Sequence, residues 1–342
     1  MSRSRGWWRG RWRAGPEGPA ETRTEHRGFP HQRFVEGVQR AERLVRVLGV
    51  APYVMNAPYR EAFLPALRGA LHRGVRVEVL VLDPQSRAAD QCALDLDGTV
   101  DVTATVSEVL RAFRTFATTL EPAEQEHLDV RVYSALPPAR MYRWDDRAIS
   151  SLFPTGNWAG SDIEHYETTA TTGLGRLVDE QFSALRDDDG TCTLDAYFTV
   201  GLTCPERVDA PPVTSGYVRV DGRYYVADTD PPSEVWLPDL DDLLVRISAR
   251  DGAFHAVRVD PEHPAMSGLA AAFRRKYGAE SGLGGRPRVM VRLDPVPPAE
   301  MAAGRGTSGA RGRRLSLLPG DLGSPQGSRP PEAPGSAHRI AR

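Results

Sequence analysis

The sequence predicts an α/β sheet-and-helix domain followed by a small, mainly β domain, with disordered segments at both termini. Three observations carry this reading. Residues 44–84 read as strand, turn, helix and second strand, the βαβ unit of a parallel sheet. Residues 216–227 read as a strand, a two-residue Asp-Gly turn and a strand, the mark of an antiparallel hairpin. Residues 1–28 and 298–342 are rich in Gly, Pro and Arg and carry no hydrophobic periodicity.

Within 1–28, five arginines alternate with Trp7, Trp8 and Trp12. This leader is read as disordered; charge and stacking give it only a weak means of touching nucleic acid or an anionic membrane surface. From Phe34 the pattern Phe34, Val35, Val38, Ala41 predicts an amphipathic helix leading into the strand at Leu44. Tyr59, Phe63, Ala66, Leu67, Ala70 and Leu71 recur at helical spacing, and Gly74 stands where a left-handed cap ends the helix. The following strand, Val75 to Leu82, is apolar nearly throughout, as in a strand covered on both faces. It ends at Asp83-Pro84. Val106, Val109, Leu110, Phe113, Phe116 and Leu120 mark a long helix, and 129–133 alternates as a strand. Residues 140–144 and 148–153 form two more, joined around Asp145-Asp146, and Leu174 to Leu185 draws a closing helix. Asp187 to Gly190 then breaks the chain and reads as a domain boundary.

The boundaries expected are 29–190 for the first domain, 191–212 for a linker and 213–297 for the second. In the linker, Leu194, Ala196, Phe198, Val200 and Leu202 alternate as one short strand. The second domain adds strands around 235–240, 243–249 and 253–259, an Asp251-Gly252 turn, a helix from Met266 to Tyr277 and a last strand at 288–295.

Composition narrows the function classes. A net charge of −2 gives no global reason to expect nucleic acid or membrane. Of 43 lysines and arginines a single one, Lys276, is lysine; this fits a bacterial coding bias better than phosphate recognition. Three cysteines without metal spacing read as reduced thiols, and no metal site is expected. No apolar run reaches the roughly 18 residues that span a bilayer, and a soluble, cytoplasmic protein is expected. No dinucleotide fingerprint, P-loop or HExxH occurs.

The order of elements, with RGVRVEVLVLDPQS, VRVY, a paired strand carrying Asp145-Asp146 and the later Gly160-Ser161, resembles one half of the phospholipase D superfamily over residues 32–188. The resemblance implies a His-x-Lys-x4-Asp motif, with His as nucleophile on phosphorus and Lys holding a phosphate oxygen. Here the matching register reads Pro138, Arg140 and Asp145. Arg140 keeps the chemistry to hold an anion, whereas Pro138 has no nucleophilic nitrogen. The resemblance therefore implies a degenerate, ligand-binding domain for a small anion, with Arg140, Asp145, Ser161 and Glu164 as contacts. His165, beside Glu164 and Glu167, is the candidate substitute nucleophile; its plain alternative is a structural histidine at a strand edge.

Residues 213–297, through Asp221-Gly222, Lys276-Tyr277-Gly278 and Arg292 to Pro295, resemble small bacterial split-barrel proteins related to flavin and deazaflavin binders. That implies FMN or a deazaflavin as cofactor, a homodimer, and Lys276 as a cofactor contact. The plain alternative for Lys276 is a cation placed on the helix C-terminal dipole.

Overall fold

The computed structural model describes residues 23–96, 100–137, 139–152, 163–205, 212–227, 243–247, 252–284 and 290–296. The leader through residue 22, the strand expected around 235–240 and the tail after 297 lie outside these.

The first half builds an eight-stranded sheet. Its strands are β1 (Thr24–Arg27), β2 (Leu44–Gly49), β3 (Arg76–Leu82), β4 (Leu128–Tyr133), β5 (Ala139–Trp144), β6 (Arg147–Leu152), β7 (Glu164–Thr169) and β8 (Cys192–Thr193). They lie in the order β1-β7-β6-β5-β2-β3-β4-β8. The pairs β2–β3 and β3–β4 are parallel, and every other neighbouring pair is antiparallel. The expected βαβ unit is present, with α2 (Arg60–His72) as its crossover. Gly74 ends it at φ +80, a conformation that costs glycine little because it lacks Cβ.

Before it, α1 (His31–Arg40) buries Phe34, Val35 and Val38, the residues whose spacing predicts it. After β3 come α3 (Arg87–Asp95), capped by Ser86 accepting from the Ala89 amide, and α4 (Val102–Thr118), capped by Asp101. The short α5 (Pro122–Gln125) precedes β4, and α6 (Gly173–Arg186) follows β7.

Three differences from the sequence reading have local causes. Residues 24–27, read as part of the leader, form β1, because the backbone of β7 offers them a partner edge. The polar stretch 164–169 is β7, held by ladder hydrogen bonds on both sides rather than by apolar alternation. The alternation from Leu194 to Leu202 is not one strand. Thr193 accepts from the Ala196 amide and caps a short helix, α7 (Leu194–Phe198), before β9 (Thr199–Thr203) begins. The chain thus returns to the sheet after Gly190, as β8 beside β4.

Strand β3 is buried on both faces as expected, yet it carries Glu78 inside. Arg46 Nε donates to Glu78 at 2.7 Å, and Asp179 of α6 accepts from Arg46 and Arg143. A buried ionic lattice of this kind sets register and docking more than net stability.

The second half is a closed six-stranded barrel, ordered β10 (Val213–Val220), β11 (Arg223–Ala227), β14 (Met290–Pro295), β13 (Phe254–Arg258), β12 (Leu244–Ile247) and β9. Between β10 and β11, Asp221 at φ 50 and Gly222 at φ 75 make the tight turn that the sequence predicts. Leu202, Val226, Val245, Ala256 and Leu293 fill the barrel interior. A separate, larger core runs from the sheet and its helices onto the barrel's outer face, taking in Val218, Ala227 and Met290 with Leu269, Phe273 and Tyr277 of α8 (Met266–Tyr277). Sheet and barrel belong to one compact unit reaching Pro297.

Candidate functional site

Ligand crevices in α/β sheets open beyond the carboxyl ends of the parallel strands. A cavity of about 540 Å³ lies there, within the size range of small-molecule sites. Val50 and Ala51, which follow β2, are part of its lining. Tyr53 and Asn56 come from a 3-10 turn at 53–55 and its exit, Gly28 and Phe29 from the segment after β1, and His31 and Tyr59 from the starts of α1 and α2. Cys92 and Leu96, with Val102, Thr105 and Val106 of α4, complete an apolar wall. Arg140 and His165 are the polar groups from β5 and β7.

Strand pairing explains why these two meet. Arg140 lies opposite Ser151, and His165 lies opposite His26; one further step of the β6–β7 register sets Ser151 opposite His165. Side chains of directly opposed residues share a face. His26, His165, Ser151 and Arg140 therefore form one polar row across four adjacent strands. Arg140 is 8% exposed; its Nη1 donates to Tyr53 Oη, and its guanidinium lies 4.7 Å from the centre of that ring. Tyr53 is itself fixed, its amide donating to Tyr142 Oη at 2.8 Å. Phe29 packs 5.6 Å from Tyr53, 4.1 Å from Tyr142 and 5.5 Å from His165, while His31 and Tyr59 stack at 3.4 Å.

His165 is 1% exposed. Its Nδ1 lies 2.9 Å from the Ile163 carbonyl oxygen, and its Nε2 has no hydrogen-bond partner among the described residues. Burial lowers its pKa to about 4, helped by the charge of Arg140, so the ring is neutral near pH 7. The Ser151 hydroxyl is likewise buried and without a partner among the described residues. Burial pushes the Cys92 thiol up to about 11, which keeps it a thiol and a poor nucleophile.

The other residues singled out by sequence lie elsewhere. The Asp145 carboxylate accepts from the amides of Glu42, Arg43 and Leu44 at 2.9–3.1 Å. Those amides lower its pKa against the opposing effect of burial. They lie at the start of β2, whereas the cavity opens past its end, a strand length of about 20 Å away. Asp145 is a backbone clamp. Glu164 is exposed and accepts from Tyr166 Oη; as the residue before His165 on a strand, it faces the opposite side of the sheet. Glu167 does share the face of His165, but Arg33 and Arg147 hold its carboxylate and lower its pKa to about 2. Pro138, Gly160 and Ser161 lie outside the described residues.

Lys276 lies in the last turn of α8, as the sequence places it, and is 3% exposed. Its Nζ donates to the Tyr217 carbonyl at 2.8 Å and sits 3.4 Å from the Tyr217 ring centre and 4.6 Å from that of Tyr197. Burial pushes its pKa well below the lysine range, with the charge of Asp83 opposing. The adjacent Tyr277 Oη accepts from the Tyr217 amide and donates to the Phe198 carbonyl, joining α8 to both β10 and α7.

Among the described residues, no group of three or more His, Cys, Asp or Glu side chains is placed to hold a metal ion. No described helix is long and apolar enough to cross a membrane.

Of the residues singled out by sequence, Arg140 and His165 line the cavity; Tyr53, Phe29 and His31, which also line it, and Ser151, which lies between the two in the row, were not singled out. The buried Ser150-Ser151 pair following Ala148 and Ile149 in β6 was the available signal for the last of these. The other three come from turns and helix starts, and nothing in their spacing marks them.

No protein-family model matches the chain, and no curated protein does. Solved structures similar to it include TrmBL2, an archaeal chromatin protein described with a novel mode of DNA binding (11% identity, 50% of this chain, 54% of that one, TM-score 0.30). Nuc from Salmonella typhimurium, a phospholipase D family member, is similar over 51% of this chain and 97% of its own, at 11% identity and TM-score 0.31. Phosphatidylserine synthase from Haemophilus influenzae is similar over 52% of this chain and 40% of its own, at 16% identity and TM-score 0.35. The chain thus covers about half the length of the archaeal protein.

Proposed function

We propose that the protein binds a small organic anion in the cavity beyond β2, through a phospholipase D-like domain in which Pro138 replaces the nucleophilic histidine. One observation carries this reading. Arg140 of β5, in the position of the family's phosphate-holding lysine, lines a largely apolar, aromatic cavity. A guanidinium fork in a low-dielectric wall favours a carboxylate or phosphate. The rings of Phe29, Tyr53 and Tyr59 favour an apolar body behind that charge. The protein acts as a sensor or carrier for such a ligand, with the barrel as its partner module. Calorimetry of the full chain against benzoate, phenyl phosphate and inorganic phosphate tests the reading. The organic anions are expected to bind more tightly than inorganic phosphate, and Arg140→Met to weaken them about 100-fold. Equal affinities in wild type and Arg140→Met would refute it.

A second reading is favoured by Nε2 of His165, an unprotonated ring nitrogen without a partner among the described residues. In a phosphodiesterase, Nε2 would bond phosphorus as the ester P–O bond breaks and the leaving oxygen takes a proton from water; a second water would then release the phosphate. Hydrolysis of bis-p-nitrophenyl phosphate with a trapped phosphohistidine, both absent in His165→Ala, would establish this reading over the first.

A further inference from the structure

We infer that the ligand of this cavity carries, besides its anionic group, an N–H or O–H donor that meets Nε2 of His165. The inference rests on the ligand-binding reading above and adds the chemical class. A carbonyl oxygen only accepts hydrogen bonds, so Nδ1 of His165, 2.9 Å from Ile163 O, carries the ring proton. In that tautomer Nε2 is an acceptor. It is buried with no donor among the described residues, on a side chain 1% exposed that lines the cavity. Buried polar atoms in folded proteins nearly always find a partner, and one without a donor among the described residues, on a side chain that lines a cavity, points to a ligand that supplies it. The groups facing the ring keep it an acceptor, since Arg140, His26 and His31 each disfavour a second proton.

The two polar groups therefore differ in kind. Arg140 offers only donors on a positive charge, and His165 offers a lone pair on a neutral ring. Ser151, between them in the row, can turn its hydroxyl either way and discriminates little. A ligand with an anion alone can pair with the Arg140 charge but offers Nε2 no donor. Sites built to hydrogen-bond a ligand group reject the analogue lacking it strongly, and for one neutral acceptor the expected preference is about 10- to 100-fold.

The test uses matched pairs on the full chain: indole-3-carboxylate against benzofuran-3-carboxylate, and 4-hydroxybenzoate against 4-fluorobenzoate, by calorimetry. The donor-bearing member of at least one pair is expected to bind at least 10-fold more tightly. His165→Phe, which keeps an aromatic ring and removes the acceptor, is expected to erase that preference while the donor-free member still binds. The 15N resonance of His165 Nε2 gives a readout that needs no variant: it should shift with the donor-bearing ligand and not with its isostere. If both members of each pair bind equally and both weaken in Arg140→Met, the donor inference is wrong and the anion reading stands. If no member binds at millimolar concentration, the anion reading itself is overturned and the inference with it.

Discussion

His165 and Lys276 are both buried, both nitrogen bases, and both held in the less protonated direction by burial, yet they occupy opposite situations. His165 faces a cavity and keeps a lone pair without a partner among the described residues. Lys276 is enclosed by two tyrosine rings and a carbonyl that takes its hydrogen bond. A displaced pKa in a buried base does not by itself mark a site. What separates the two is that Lys276 has its hydrogen-bond acceptor in place, whereas His165 Nε2 has no donor among the described residues. His165 lines the cavity, and Lys276 joins α8 to β10 and to the tyrosine of α7.

The largest expected effects test that division through stability. Lys276→Ala should destabilise the fold by about 3 kcal/mol, the range for emptying a filled buried site, and leave ligand affinity unchanged. Lys276→Met, which keeps the volume, should cost about 1 kcal/mol, the net worth of the single hydrogen bond to the Tyr217 carbonyl that it removes. Denaturant titration measures both, and equal losses would show that the ammonium rather than the packing holds the joint.

The next effect is pH dependence. His165 titrates at about 4 in the folded chain and near 6.5 in the unfolded one, so the unfolded chain binds the extra proton between those values. Its contribution is fully present above pH 6.5 and is lost as pH falls toward 4, by up to about 3 kcal/mol. His165→Phe should flatten that window. Lys276, also depressed, has the same sign in a different range: its contribution is complete only above the unfolded lysine value of 10.5 and falls as pH drops below it. Stability of the wild type should therefore rise with pH on the alkaline side relative to Lys276→Met.

A smaller effect belongs to Asp145→Ala. Loss of the acceptor for three amides, together with the positive φ of 45°, should cost about 1–2 kcal/mol of stability without altering affinity. The smallest belongs to Glu164→Gln, expected to change both stability and affinity by less than about 0.5 kcal/mol. A larger effect on affinity would return Glu164 to the cavity.

The parallel core was legible because burial on both faces leaves runs such as Val77 to Leu82, and helical stripes such as Phe63 to Leu71 have a period that only one element satisfies. Strands β1 and β7 were not, since polar sequences such as TEHR and EHYETT become strands through a partner edge that is remote in sequence. For the site, residue chemistry flagged Arg140 and His165 separately. Their juxtaposition comes from register across β5, β6 and β7, which one sequence does not encode locally. The same limit explains Asp145: its chemistry suits a ligand contact, and only the fold shows three amides already filling it. Lys276 stood out by rarity, which says nothing about enclosure.

Strand β8 has a consequence for how the chain can be divided. It covers the outer edge of β4, and it is supplied by the segment that leads into the barrel. A fragment ending at Gly190 would leave β4 with free amides and carbonyls beside newly uncovered Phe198-facing surface, a template for pairing with another molecule. Such a fragment is expected to self-associate in light scattering, whereas one extended through Pro297 stays dispersed.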